Sequence, residues 1–89
     1  MKSHYLEVTF RKGKALAAYL YLPRETGARS ARTQNVAPGI LVDFGPDGRP
    51  IGLELTAPAQ VTADQINAVL AGLGLDPIAP EELEPLAAA

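Results

Sequence analysis

"GILVDFGPDGRPIGLEL", residues 39–55, reads as two apolar strands folded about a four-residue turn, and how they pair decides the rest of the fold. Pro46 presets φ near −65° and Gly48 accepts a left-handed conformation cheaply, so residues 45–48 form the turn. A four-residue loop pairs Phe44 with Arg49, Val42 with Ile51 and Ile40 with Leu53. This register gathers every large apolar residue except Leu41 on one face, and a one-residue slip would scatter them. Asp43 then opposes Pro50 and Glu54 opposes Gly39, four residues apart, or roughly 13 Å at about 3.3 Å per residue. Paired glycosidase carboxylates stand about 5 to 9.5 Å apart, so the two acids are expected to act singly, each beside a cross-strand Arg or Lys.

Outward from this hairpin the pattern stays that of a sheet as far as Leu55. Residues 5–10, "YLEVTF", alternate, with Leu6, Val8 and Phe10 inward and Tyr5, Glu7 and Thr9 outward. "RKGK", residues 11–14, is a charged turn with Gly13 where a positive φ is needed. It returns the chain into "ALAAYLYL", residues 15–22, a central strand apolar on both faces and stopped by Pro23. Residues 23–34 are polar, with Gly27 at a tip, and form a long loop or a loop with an edge strand across residues 29–36.

After Pro58 the period changes to that of a helix. Thr62 and Gln65 have the form of a capping box, and Asp64 stands in the first turn, where the helix dipole favours negative charge. Ile66, Val69, Leu70 and Leu73 make one apolar stripe, and Gly72 and Gly74 supply the stop. Pro80 opens a last helical turn. The expectation is one α+β domain over residues 1–89. It consists of an antiparallel four- or five-stranded β-meander (residues 5–55), one packed C-terminal helix (61–74) and a short helical tail (75–89).

Composition excludes several kinds of chemistry. The chain has no cysteine, which removes disulfides, thiolate nucleophiles and thiolate metal sites, and its one histidine, His4, cannot anchor a zinc site alone. Ser3 and Ser30 lack a His/Asp partner set, and "RKGK" lacks the spacing of a phosphate loop. No catalytic, cofactor or metal residue is assigned. No apolar run is long enough for a membrane span and no secretory leader is visible, so the expected setting is cytoplasmic, without membrane association.

The net charge of −2 hides a polarity: through Arg32 seven basic residues face two acidic ones, a balance of +5, and from Thr33 onward Arg49 alone faces eight acidic residues, a balance of −7. Such a chain neutralises itself, pairs head to tail with a copy, or offers its basic end to nucleic acid. Arg24, Arg29 and Arg32 form the candidate basic surface and are expected to answer the acidic half. Nucleic acid is disfavoured, because no stacking aromatics are interleaved with them. The candidate interface is Tyr19, Tyr21, Leu41, Asp43 and Glu54, on the second face of the sheet with Ala15 and Ala17. That face is half apolar and the single helix does not cover it, so the expected function is non-enzymatic protein binding through a homodimer. A weak metal-dependent hydrolase using Asp43 or Glu54 is the alternative from another class.

"ALAAYLYL" and "VAPGILVDFGPDGRPIGLEL" resemble the second strand and the hairpin of the domain-of-unknown-function 2283 family of small bacterial proteins. The family-like positions are Gly39, Asp43, Gly48, Gly52 and Glu54. The first strand lacks the acidic opening usual in that family, and the tail after Pro58 is longer. The resemblance implies no catalytic residues or cofactor. Because some members stand beside small toxin-like genes, it also implies an antitoxin-like role, neutralising a small RNase, as a further alternative.

Overall fold

The β-patterned segments pair into one antiparallel sheet in the computed structural model, which describes residues 4–23 and 29–87. The strands are β1 (Tyr5–Arg11), β2 (Lys14–Tyr21), β3 (Arg32–Ala37), β4 (Ile40–Phe44) and β5 (Pro50–Leu55). Their spatial order is β1-β2-β5-β4-β3. Neighbours in sequence are neighbours in space within the β1–β2 hairpin and the β3–β4–β5 run, and β5 closes against β2. The sheet is thus two meander units joined in Greek-key order. β2 is an interior strand between β1 and β5, flanked on both sides from Ala18 to Tyr21, while β5 is the middle strand and β3 an edge strand. Gly27 and Arg24 lie outside the described residues.

A single-turn 3-10 helix (Pro58–Gln60) leads to α1 (Ala63–Gly72). The capping box forms as its residues dictate: the Thr62 hydroxyl accepts from the Gln65 amide at 3.1 Å, and the Gln65 side chain accepts from the Thr62 amide at 2.8 Å. Ile66 and Leu70 are buried against Leu20, Leu53, Leu55, Ile40 and Val42, whereas Val69 and Leu73, on the flank of the stripe, are half-buried. The tail adds a 3-10 turn (Pro80–Leu83) and a short α2 (Glu84–Ala87), and it buries Ile78, Leu83 and Leu86 in the same core.

What holds the tail is Asn67, on α1. Its amide nitrogen donates to the Ile78 carbonyl at 3.0 Å and its amide oxygen accepts from the Ile78 N–H at 2.8 Å. Asn67 thus satisfies a backbone that no secondary structure pairs. Asn67→Ala is expected to cost about 1–3 kcal/mol, with amide exchange rising first in residues 78–87; uniform loss of protection would refute a local latch.

Two readings of the hairpin need correction. First, the register of β4 and β5 differs from the expected one, by one residue at Phe44, which pairs with Pro50, and by two beyond it, where Ile40 pairs with Leu55, Leu41 with Glu54, Val42 with Leu53 and Asp43 with Gly52. Two one-residue steps cause this. Gly48, at φ 84°, follows a turn closed by its amide on the Gly45 carbonyl, and Gly45 N–H bonds the Arg49 carbonyl, which is a turn with a glycine bulge. A second irregularity falls between Asp43 and Phe44. Either step alone would turn the apolar residues outward, but together they restore the faces and move the pairing.

Second, the helix covers less of the sheet than expected. Phe10 and Leu16 have the parity of the core face by alternation alone, yet they are 52% and 56% exposed: the β1–β2 register shifts between Thr9 and Phe10, which pairs Phe10 with Ala15 and leaves Leu16 without a β1 partner. β2 pairs with β5 only from Ala18 to Tyr21, so the far end of the β1–β2 hairpin projects past the sheet and past the helix. At the opposite edge an irregularity at Val36 turns that residue toward the helix side, where Val36, Ala37, Val69 and Leu73 line an open groove.

Candidate functional site

With both helices on one face, the other face presents two cross-strand rungs. One runs Tyr5, Tyr21, Gly52, Asp43, Thr33; the next runs Glu7, Tyr19, Glu54, Leu41, Asn35. Tyr19, Tyr21, Leu41, Asp43 and Glu54 therefore share this face, as their alternation requires.

Gly52 organises the arrangement. It sits on β5 between Tyr21 and Asp43, and a Cβ built there would overlap the Tyr19 ring. The ring reaches over the glycine across β5, and its hydroxyl donates to the Asp43 carboxylate on β4 at 2.7 Å. The other Asp43 oxygen accepts from the Thr33 hydroxyl on β3. Three strands are thus stitched across their outer surface by one carboxylate. Tyr21 stacks against Tyr19 at 4.6 Å between centroids and against Tyr5 at 5.6 Å, and its hydroxyl donates to Glu7 at 3.4 Å. Offset and tilted pairs at these spacings each contribute about 0.5–1.5 kcal/mol beyond burial.

The revised register brings the two acids closer than the expected four residues. Asp43 faces Gly52 and Glu54 faces Leu41, so they are diagonal neighbours with Cα atoms about 7–8 Å apart. Separation along the strands therefore no longer argues against a carboxylate pair. Nor is either acid matched with the expected cation: Asp43 bonds Tyr19 and Thr33, and Glu54 stands opposite Leu41 and Tyr19. Among the described residues no three His, Asp or Glu side chains converge as metal ligands.

The candidate basic surface is dispersed. Arg32 lays its guanidinium over the Phe44 ring, 4.2 Å from the centroid, and donates to Gln34 at 3.0 Å, so it caps the end of the core. Arg29 is exposed and neither it nor Arg32 is paired with a described carboxylate. His4 reaches Glu82 of the tail at 3.1 Å. Tyr5, Glu7, Thr33 and Gly52 belong to the site without having been singled out for it. Alternation already set Tyr5 and Glu7 outward, whereas Thr33 needs the β3–β4 register, which the sequence alone did not contain.

Among the described residues no helix is long and apolar enough to cross a membrane. No curated protein and no solved structure matches the chain. One family model does, described as "Protein of unknown function (DUF2283)", over residues 17–57. The matched segment runs from within β2 to just past β5, and so holds Tyr19, Tyr21, Leu41, Asp43, Gly52 and Glu54, while β1, α1 and the tail lie outside it. Over residues 17–57, the strands that build most of the open face, this chain is similar to the DUF2283 family.

Proposed function

We propose that this protein is a non-catalytic, cytoplasmic binding module that associates with a second copy of itself through the open face of its sheet. The observation that carries this reading is the face itself. Three stacked tyrosines, with Leu41 on the same face across Glu54, lie on the side of the sheet opposite both helices, and Tyr19 is held by Asp43 and Gly52. Pre-ordered aromatic side chains lose little entropy on docking, which is why tyrosine is enriched at interfaces.

Light scattering after size exclusion tests it: a dimer mass is expected at high micromolar concentration, and Leu41→Lys, which charges the face without touching the core, is expected to shift the protein to monomer. A strict monomer across that range would refute self-association. The nearness of Asp43 and Glu54 favours one rival, a divalent cation held between them for hydrolysis. A thermal shift with magnesium, manganese or calcium that disappears in Asp43→Asn would favour that rival; no shift is expected, since both Asp43 oxygens already accept hydrogen bonds.

A further inference from the structure

β5 is the middle strand of five, so the open face divides into two halves of equal width, β1 with β2 on one side and β4 with β3 on the other. The halves differ in content. In the first rung Tyr5 and Tyr21 balance Asp43 and Thr33 about Gly52, and in the second Glu7 and Tyr19 balance Leu41 and Asn35 about Glu54. One half is aromatic and the other supplies a leucine, an amide and a hydroxyl.

Two sheets packed face to face keep their strands within about 30° of each other, so a two-fold axis between them runs either across the strands or along them. An axis across the strands lays each strand on its own copy. Placed on a rung, it sets Asp43 on the partner's Asp43, or both Glu7 and Glu54 on their own copies; placed between the rungs, it sets Leu41 on the partner's Asp43 carboxylate. An axis along β5 lays β1 and β2 on the partner's β3 and β4 and keeps each rung on the same rung. Tyr19 then meets the partner's Leu41, Tyr21 the partner's Asp43, Tyr5 the partner's Thr33, and Glu7 the partner's Asn35, whose amide donates to a carboxylate. The two Tyr19 rings, each reaching over its own Gly52, come together at the axis.

We propose that the second copy docks about a two-fold axis running along β5, which pairs the β1–β2 half of each open face with the β4–β3 half of the other and sets the two Glu54 carboxylates against each other at the axis. Glu54 is exposed, and on this axis it alone among the acids of the two rungs meets its own copy. Its charge therefore limits the affinity. The whole face is covered, but it is small: five strands at about 4.8 Å and six residues at about 3.3 Å give roughly 24 by 20 Å, or about 500 Å² in plan. A standard interface takes about 800 Å² from each partner, so the dimer is weak and reversible. The hairpin ends carrying Arg11, Lys12 and Lys14 project from the same end of the two layers, three strand spacings or roughly 14 Å apart, and take no part. The axis presupposes the self-association proposed above and adds which halves meet and which charge restrains them.

The chain has no cysteine, so single cysteines report the axis. Glu54→Cys, Glu7→Cys and Asn35→Cys, all at exposed positions of the full chain, are treated at high micromolar concentration with a bis-maleimide spanning about 10 Å, the spacing of packed sheets. Glu54→Cys is expected to be captured as a covalent dimer. Glu7→Cys and Asn35→Cys each lie four strand spacings, or roughly 19 Å, from their own copies, so each alone is expected to remain uncaptured and the mixture to cross-link. Adding Leu41→Lys is expected to abolish capture. In sedimentation Glu54→Gln is expected to tighten the dimer Kd about tenfold, a gain that a damaged fold does not produce. Capture of Glu7→Cys alone, capture that survives Leu41→Lys, or a Glu54→Gln dimer no tighter than the parent would overturn the axis and leave self-association standing, as would Glu54→Cys that dimerises by light scattering without being captured. A monomer under every condition would overturn both.

Discussion

Gly52→Ala is expected to destabilise the protein by about 3 kcal/mol, out of the roughly 4–13 kcal/mol that a domain of this length has to lose. Alanine ordinarily strengthens a strand relative to glycine, by about 0.5–1 kcal/mol. The sign reverses here because the new methyl group would occupy the space of the Tyr19 ring. The ring must lift, which breaks its hydrogen bond to Asp43 and leaves that carboxylate to Thr33 alone. It also separates Tyr19 from Tyr21. A double-mutant cycle isolates the cause: in a Tyr19→Ala background Gly52→Ala should be neutral or mildly stabilising, so the coupling measured by denaturant unfolding should be about 2–4 kcal/mol. Equal costs in the two backgrounds would mean that Gly52 is required for backbone reasons and that the overlying ring is incidental. Tyr19→Phe, which keeps the ring and loses only the hydroxyl, should cost about 1 kcal/mol.

The Gly52 contact also shows where reading residues in order loses information. Alternation is a local property, so it located the two faces, the interior position of β2 and the shared face of Tyr19, Tyr21, Leu41, Asp43 and Glu54. The capping box is equally local, and α1 begins where Thr62 and Gln65 require. Register is not local. Each of the two irregularities in the β4–β5 hairpin adds one residue to the pairing, and since their effects on facing cancel, the apolar pattern looks the same with both as with neither. A pattern of period 2 cannot distinguish registers that differ by two. The separation of Asp43 from Glu54 depended on that distinction, and so did the Tyr19 bridge, which exists only because Gly52, not Pro50, faces Asp43. The order of the strands is likewise set by which strand covers the free edge of β2, a long-range choice with no signature in either strand. For the basic residues the obstacle was different: charge balance between halves says nothing about distance, and Arg32 finds Phe44 and Gln34 on neighbouring strands before any carboxylate.

Leu20→Ala and Leu16→Ala should differ by about 3 kcal/mol although they delete the same atoms from the same strand. Both leucines have the core-face parity of β2 by sequence alternation and are indistinguishable by pattern, although in the sheet Leu16 falls at the β1–β2 irregularity and has no β1 partner. Leu20 is fully buried, in a cluster with Leu53, Ile66 and Leu70, so its removal loses the transfer free energy of the side chain and leaves a cavity that the strands cannot close. A cost of about 3–4 kcal/mol is expected. Leu16 lies four residues earlier, where β2 has left β5 behind, and it is 56% exposed. Alanine there should cost less than about 1 kcal/mol, because little surface returns to water and no cavity forms. Urea unfolding of the two variants at low protein concentration, where the monomer dominates, makes the comparison. If Leu16→Ala is as damaging as Leu20→Ala, the hairpin end packs on the body of the protein and does not project. A small effect frees this end of the sheet from any part in holding the monomer together. Arg11, Lys12 and Lys14 are then carried on an arm that folding alone does not need.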